Sequence, residues 1–127
     1  MRWLLVDGID SLNVGDRAVG HKTWSADEEF FEDHFPRFPV VPGVLVMEAL
    51  AQLAGKLIGY TVRQHRGDWP FPILSMINNV KFRRFVKPGD RVELEVRLTS
   101  LRDEMAGVTV RAKGDGKGHA QAEQVFV

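Results

Sequence analysis

Prolines at 36, 39 and 42, followed at once by Gly43 and a run to Arg63 with no proline, constrain this chain more than any other stretch. Each proline fixes its own φ and keeps the preceding residue out of helix. His34–Pro42 therefore reads as a stiff loop that costs less entropy to order than a flexible one. Such a loop can hold a side chain in one orientation. Any of its three X-Pro bonds could be cis. From Gly43 to about Arg63 nothing breaks a helix, and Leu45, Met47, Leu50, Leu53, Ala54, Leu57 and Ile58 cover most of its circumference. A helix apolar nearly all round is buried on more than one side. Its polar exceptions, Glu48, Gln52 and Lys56, recur every fourth residue as one stripe. The plain explanation of such a stripe is a solvated edge. Yet a histidine on a rigid loop and a carboxylate early in a buried helix are also what proton transfer uses.

The rest of the chain reads as a sheet built to wrap that helix. Trp3–Val6 is a short apolar run expected to pair as a strand, and Asn13–Asp16 is turn-like. Arg17–Trp24 alternates loosely and is a further strand. Ser25-Ala26-Asp27-Glu28 resembles an N-cap with an acidic first turn. The helix it opens must be short, ending near Phe31, because prolines follow. Phe30, Phe31 and Phe35 are expected to dock on apolar surface, with or without a chemical role. After the long helix, Arg66-Gly67-Asp68, Pro70 and Pro72 form a loop, and the periodicity falls to two. Strands are expected over Ile73–Val86, Val92–Leu98, Val108–Ala112 and His119–Val127. Lys87-Pro88-Gly89-Asp90 places Pro and Gly in type II turn positions. The order is α+β, with one antiparallel sheet curled around one helix in a single domain over residues 1–127.

Composition removes several function classes. Seventeen basic and seventeen acidic residues cancel, a poor footprint for nucleic acid. With no cysteine there is no disulfide, zinc-thiolate site or cysteine nucleophile. His21, His65 and His119 are isolated, so no metal site is expected. Gly116-Lys117-Gly118 lacks the following Ser/Thr of a phosphate loop, and no Gly-x-Ser-x-Gly elbow occurs. Trp3–Val6 is too short for a signal peptide. Val44–Tyr60, the longest apolar run, is interrupted by the polar stripe and does not read as a membrane span. A cytoplasmic, oligomeric protein is expected. Lys81, Arg83, Arg84 and Lys87 suit a small acidic partner or a solvated strand face.

The stretch His-Phe-Pro-x-x-Pro-x-x-Pro-Gly-Val-Leu-x-x-Glu-Ala-x-Ala-Gln, from His34 to Gln52, resembles the signature of the 3-hydroxyacyl-[acyl carrier protein] dehydratases of the FabZ type. Phe30-Phe31, Val80-Lys81-Phe82-Arg83-Arg84 and Val86-Lys87-Pro88-Gly89-Asp90 are similar to the same family. The likeness runs in register from about residue 25 to 127 and is looser before that. Asp33 stands where the family commonly has Gly, and Arg37-Phe38 replaces a Gly-polar pair. The resemblance implies a hotdog fold, no cofactor and no metal. It also implies a homodimer whose sites pair the His of one subunit with the Glu of the other; many members are trimers of dimers.

For this chain the implied catalytic pair is His34, the base at C2, and Glu48, the acid for the departing C3 hydroxyl. A carboxyl donates a proton at neutral pH only in apolar surroundings. The Gly43 N–H, at a helix N-terminus, would bind the thioester oxygen, and a missing side chain there would let substrate approach. The Val40 carbonyl would orient His34, and Gln52, one turn after Glu48, would hydrogen-bond its carboxyl. Substrate would arrive on the phosphopantetheine arm of an acyl carrier protein, with Arg83, Arg84 and Lys87 as contacts. Glu rather than Asp at position 48 favours dehydration without isomerisation. The competing expectations are a hotdog acyl thioesterase and a non-catalytic hotdog subunit of a polyketide or aryl-polyene pathway.

Overall fold

The computed structural model describes residues 2–127. Its strands are β1 (Gly8–Asn13), β2 (Arg17–Thr23), β3 (Leu74–Phe82), β4 (Arg91–Arg102), β5 (Met105–Gly114) and β6 (Lys117–Phe126). They form one antiparallel sheet in the order β1-β2-β4-β5-β6-β3. Helix α1 (Gly43–Arg66) lies between β2 and β3 in sequence and packs on β2, β4 and β5. This is the hotdog arrangement that the resemblance implies.

Alternation explains the fit. Val92, Leu94 and Val96 of β4 and Val108, Val110 and Ala112 of β5 point inward and are essentially inaccessible. Leu50, Leu53, Ala54 and Leu57 of α1 are wholly buried against them. Each such Leu or Val contributes about 1.5–3 kcal/mol of burial. By length and composition α1 could cross a membrane, but 56% of its most apolar window is buried inside the protomer. It is the core helix. Gln124 of β6, also buried, donates from Nε2 to the Met47 carbonyl at 3.1 Å and ties helix to sheet.

The turns follow their residues. Gly89 has φ 86° and the Asp90 N–H bonds the Lys87 carbonyl at 3.1 Å, as the Pro-Gly pair demands. Asp115 and Gly116, both at positive φ, make the two-residue β5–β6 turn. α1 runs past Arg63 to Arg66 and ends on left-handed Gly67, whose N–H bonds the Arg63 carbonyl.

Three expectations are corrected. Trp3–Val6 forms no strand. The Gln52 side chain does the bonding a neighbouring strand would do: its Oε1 accepts from the Leu5 N–H at 2.8 Å, and its Nε2 donates to the Trp3 carbonyl at 3.3 Å. The first strand is instead β1, whose register shift between Ile9 and Ser11 hides its alternation. Ser25 is not a helix N-cap. Its hydroxyl bonds Asp27 in a separate turn, and the helix after it is a 3-10 turn over Glu29–Glu32 preceded by Glu28. The cis peptide lies at His34–Phe35 and at none of the three X-Pro bonds.

Candidate active site

The proline loop is closed by its own main chain. The His34 N–H bonds the Phe30 carbonyl at 3.0 Å, the Val40 N–H bonds the His34 carbonyl at 3.1 Å, and Phe35 and Phe38 bond each other reciprocally. Val41 N–H then bonds the Val86 carbonyl at 2.8 Å, anchoring the loop to the connection between β3 and β4. Within this frame His34 Nδ1 lies 3.0 Å from the Val40 carbonyl oxygen. A carbonyl only accepts, so Nδ1 carries the hydrogen, and Nε2 of the neutral ring keeps its lone pair. Phe35 stacks on the imidazole at 4.2 Å between centroids. Phe31 is buried in the core with Phe30 packed beside it, whereas Phe35 is half exposed.

His34 opens on a mainly apolar cavity of about 220 Å³. Val40, Val41, Val46, Phe82, Phe85 and Val86 supply the apolar wall. The N-terminus of α1 enters this wall through Gly43. The first N–H groups of a helix have no intrahelical partner, and the Leu45 N–H is already committed to the Pro42 carbonyl. A Cβ at position 43 would lie 2.6 Å from the Phe82 ring, so the ring or the helix start would have to shift. The missing side chain thus makes room first for Phe82.

Glu48 does not line this cavity. Gly43 and Val46 share the helix face that does. Glu48 lies about 200° around the helix from Val46 and about 7.5 Å along the axis from Gly43. It falls in the row Val44, Glu48, Gln52, Lys56, Tyr60, which the sheet leaves uncovered: Val44 is 75% exposed and Tyr60 45%. Among the described residues Glu48 forms no ion pair. Gln52 does not reach Glu48 as expected; both ends of its amide hold Trp3 and Leu5. The backbone of the N-terminal segment outcompetes a side chain one turn away.

All three basic residues, Arg83, Arg84 and Lys87, are exposed, with Lys87 Nζ 5.7 Å from the Phe38 ring centre. Arg84 is committed elsewhere: its Nη2 donates to the carbonyls of Gly114 at 2.6 Å and Lys117 at 3.1 Å. The carbonyls of the tight β5–β6 turn orient the guanidinium and leave its charge intact. Sequence reasoning missed His119 of β6, a buried second imidazole on the cavity wall. Its place beside Ala120, opposite the last residue of β3, is set by strand pairing, and no spacing motif marks it. Burial lowers its pKa from the ordinary 6.5, and the nearby Arg84 charge adds to this. Among the described residues no three His, Cys, Asp or Glu side chains converge as a metal site.

Comparison with known proteins extends the likeness beyond these residues. The FabA-like domain model matches residues 1–123, so the similarity reaches further toward the N-terminus than the motifs suggest. A 3-hydroxyacyl-[acyl-carrier-protein] dehydratase FabZ of Bacillus velezensis is 43% identical over 98% of this chain and 86% of that protein. The FabZ of Exiguobacterium sibiricum is 44% identical over 98% and 86%, and that of Clostridioides difficile 41% over 97% and 80%. Among solved structures, the dehydratase heterocomplex ApeI:P from Xenorhabdus doucetiae superposes with TM-score 0.77 at 14% identity, over 98% of this chain and 82% of that one. Zebra fish thioesterase superfamily member 2 gives 0.70 at 13%, over 93% and 78%. These two share the fold. From the domain match and the extent of sequence identity, the chain belongs to the FabA-like family, among relatives named FabZ dehydratases.

Proposed function

We propose that this chain dehydrates (3R)-3-hydroxyacyl-[acyl carrier protein] to the trans-2-enoyl product in fatty acid biosynthesis. Its relatives' names carry the substrate class. The observation that carries the chemistry is His34, held by the Val40 carbonyl with Nε2 free, beside the N-terminus of α1 in an apolar cavity. His34 Nε2 takes the C2 proton. The negative charge moves onto the thioester oxygen, where the Gly43 N–H and the helix dipole stabilise it; one such donor contributes about 3 kcal/mol. The C3–O bond then breaks as Glu48, carrying a proton, delivers it to the hydroxyl, and water leaves. Proton and electron pair balance with no cofactor.

Glu48 must come from a second copy, because within one protomer it faces away from His34. Three observations support a homodimer as the working unit. The His34 cavity, about 220 Å³, is smaller than a complete ligand pocket of about 300–1,000 Å³. At the start of the row carrying Glu48, Val44 is 75% exposed and Glu48 itself partly so. β3 pairs only with β6 and exposes Met76, Ile77, Val80 and Phe82 at the sheet edge, an edge that invites pairing. Each chain is one domain with two half-sites, and the core burial of α1 fits a cytoplasmic enzyme. The phosphopantetheine arm of the carrier enters near Arg83 and Lys87, which offer positive charge to its acidic surface.

Incubation with 3-hydroxyacyl-carrier substrates tests the reaction. Formation of the 2-enoyl thioester is expected. Release of free thiol without it would indicate a thioesterase, and no turnover would indicate a non-catalytic subunit. The shared site has its own test. His34→Ala and Glu48→Gln are each expected to be inactive. Unfolded and refolded together in equal amounts, they should recover about a quarter of wild-type activity, since half the dimers then carry one intact site of two. No recovery from a mixture shown to contain heterodimers would rule out the shared site.

A further inference from the structure

His119 and Arg84 form a closed unit at the wall of the His34 cavity. The His119 carbonyl accepts from the Arg83 N–H at 2.7 Å and the Arg84 N–H at 3.3 Å. Its ring meets the same residue at both nitrogens. Nδ1 lies 3.4 Å from the Arg84 carbonyl oxygen and Nε2 lies 3.3 Å from Arg84 Nη2. A carbonyl only accepts and a guanidinium only donates. The ring is therefore neutral, with its hydrogen on Nδ1 and its Nε2 lone pair toward Arg84. The space is made to measure: a Cβ on Gly114 would lie 2.6 Å from His119 Nε2. Arg84 Nη2, with two hydrogens, also donates to the Gly114 carbonyl at 2.6 Å and the Lys117 carbonyl at 3.1 Å, so the longer His119 contact shares one of them.

What this unit holds is the segment after β3. Phe82, Arg84, Phe85 and Val86 all line the cavity. Two residues beyond Arg84, the Val86 carbonyl takes the Val41 N–H, and the preceding Val40 carbonyl orients the His34 ring. The path from His119 to His34 thus runs through main-chain hydrogen bonds and two short pieces of chain. Both His119 nitrogens are occupied, so none is left to touch substrate.

We propose that His119 is a positioning residue for the His34 half-site, clamping Arg84 so that the 83–86 wall and the Val40 carbonyl hold the catalytic imidazole in place. This rests on the reading of His34 as the base. A proton on His119 Nε2 would face the guanidinium and open the clamp. The titratable and charged groups around His119 are Arg84 and Asp90 on the β3–β4 connection and His34 across the cavity. β5 meets it through Gly114, and α1 offers only Gly43 and Val46 to the same cavity. Asp90 favours the charged ring, but burial and Arg84 together outweigh it. With the folded-state pKa lowered, the stability from neutral His119 is present above about pH 6.5 and is lost as pH falls below that value.

Two variants test the clamp. His119→Val fills the space without a hydrogen bond, and His119→Asn keeps an N–H where Nδ1 stands. The Val variant should lose about tenfold or more in kcat with KM within about threefold. In spectra of protein with 15N-labelled histidine its His34 ring signals should shift. The Asn variant should recover kcat to within about threefold of wild type. Wild type should lose kcat on the acid side with a slope one proton steeper than that of His119→Asn, the extra proton being the one His119 takes up. The clamp is overturned if His119→Val keeps kcat within about twofold and leaves the His34 signals in place. It is also overturned if His119→Asn is as impaired as the Val variant or retains the wild-type slope. If His119→Val does not fold, the slope of the Asn variant decides. A wild type with no dehydratase activity would sink the functional reading alone, because the His34 signals still report on the clamp.

Discussion

At the scale of single residues, Gly43 links packing to the proposed chemistry. Its N–H is the proposed donor to the thioester oxygen, and its lack of a side chain admits the edge of Phe82. Gly43→Ala places a methyl 2.6 Å from that ring, too close for either to stay. The expected outcome is a loss of at least about tenfold in kcat/KM as wall and helix start move apart. Adding Phe82→Leu should recover part of it, giving a coupling energy of about 1 kcal/mol or more in a double-mutant cycle. Losses that simply add would show that the two do not share the space. His34, Gly43 and Glu48 stand out in the sequence by type and spacing. Phe82 and His119 do not, because their role comes from strands that meet the loop only after folding.

Among the elements, α1 was the most legible. Its start after Pro42, its apolar circumference and its polar stripe can all be read directly, and only its last turn runs further than expected. The strands with clean alternation, β4 and β5, were equally plain. β1 was not, since a bulge breaks its period and its residues are mostly polar. Nor did sequence reveal that α1 binds the N-terminal segment through Gln52. Gln52→Leu leaves the buried Leu5 N–H without its acceptor, so thermal unfolding should show a loss of about 1–3 kcal/mol. The enzyme's kcat should change by less than about threefold. A large fall in kcat with unchanged stability would instead return Gln52 to a role beside Glu48.

For the whole molecule, the decisive feature is that one protomer separates what the sequence writes close together. Only fourteen positions part His34 from Glu48, yet they open on opposite sides of α1. In the proposed dimer, the edge of β3 is where a second copy would bring them together. Met76→Lys with Val80→Lys charges that edge. Sedimentation should then report monomer, circular dichroism should stay native-like, and dehydratase activity should vanish with the dimer. Full activity in a monomer would place the whole site within one chain. By itself the sequence determined the helix, the alternating strands, the turn glycines and the residue types that proton transfer needs, because all of these rest on local sterics and periodicity. Tertiary structure decided which residues share a cavity, which arginine the main-chain carbonyls hold, and which helix face Glu48 takes relative to His34. Those depend on strand register and on the rotation of a helix against its sheet, and residues distant in the chain settle both.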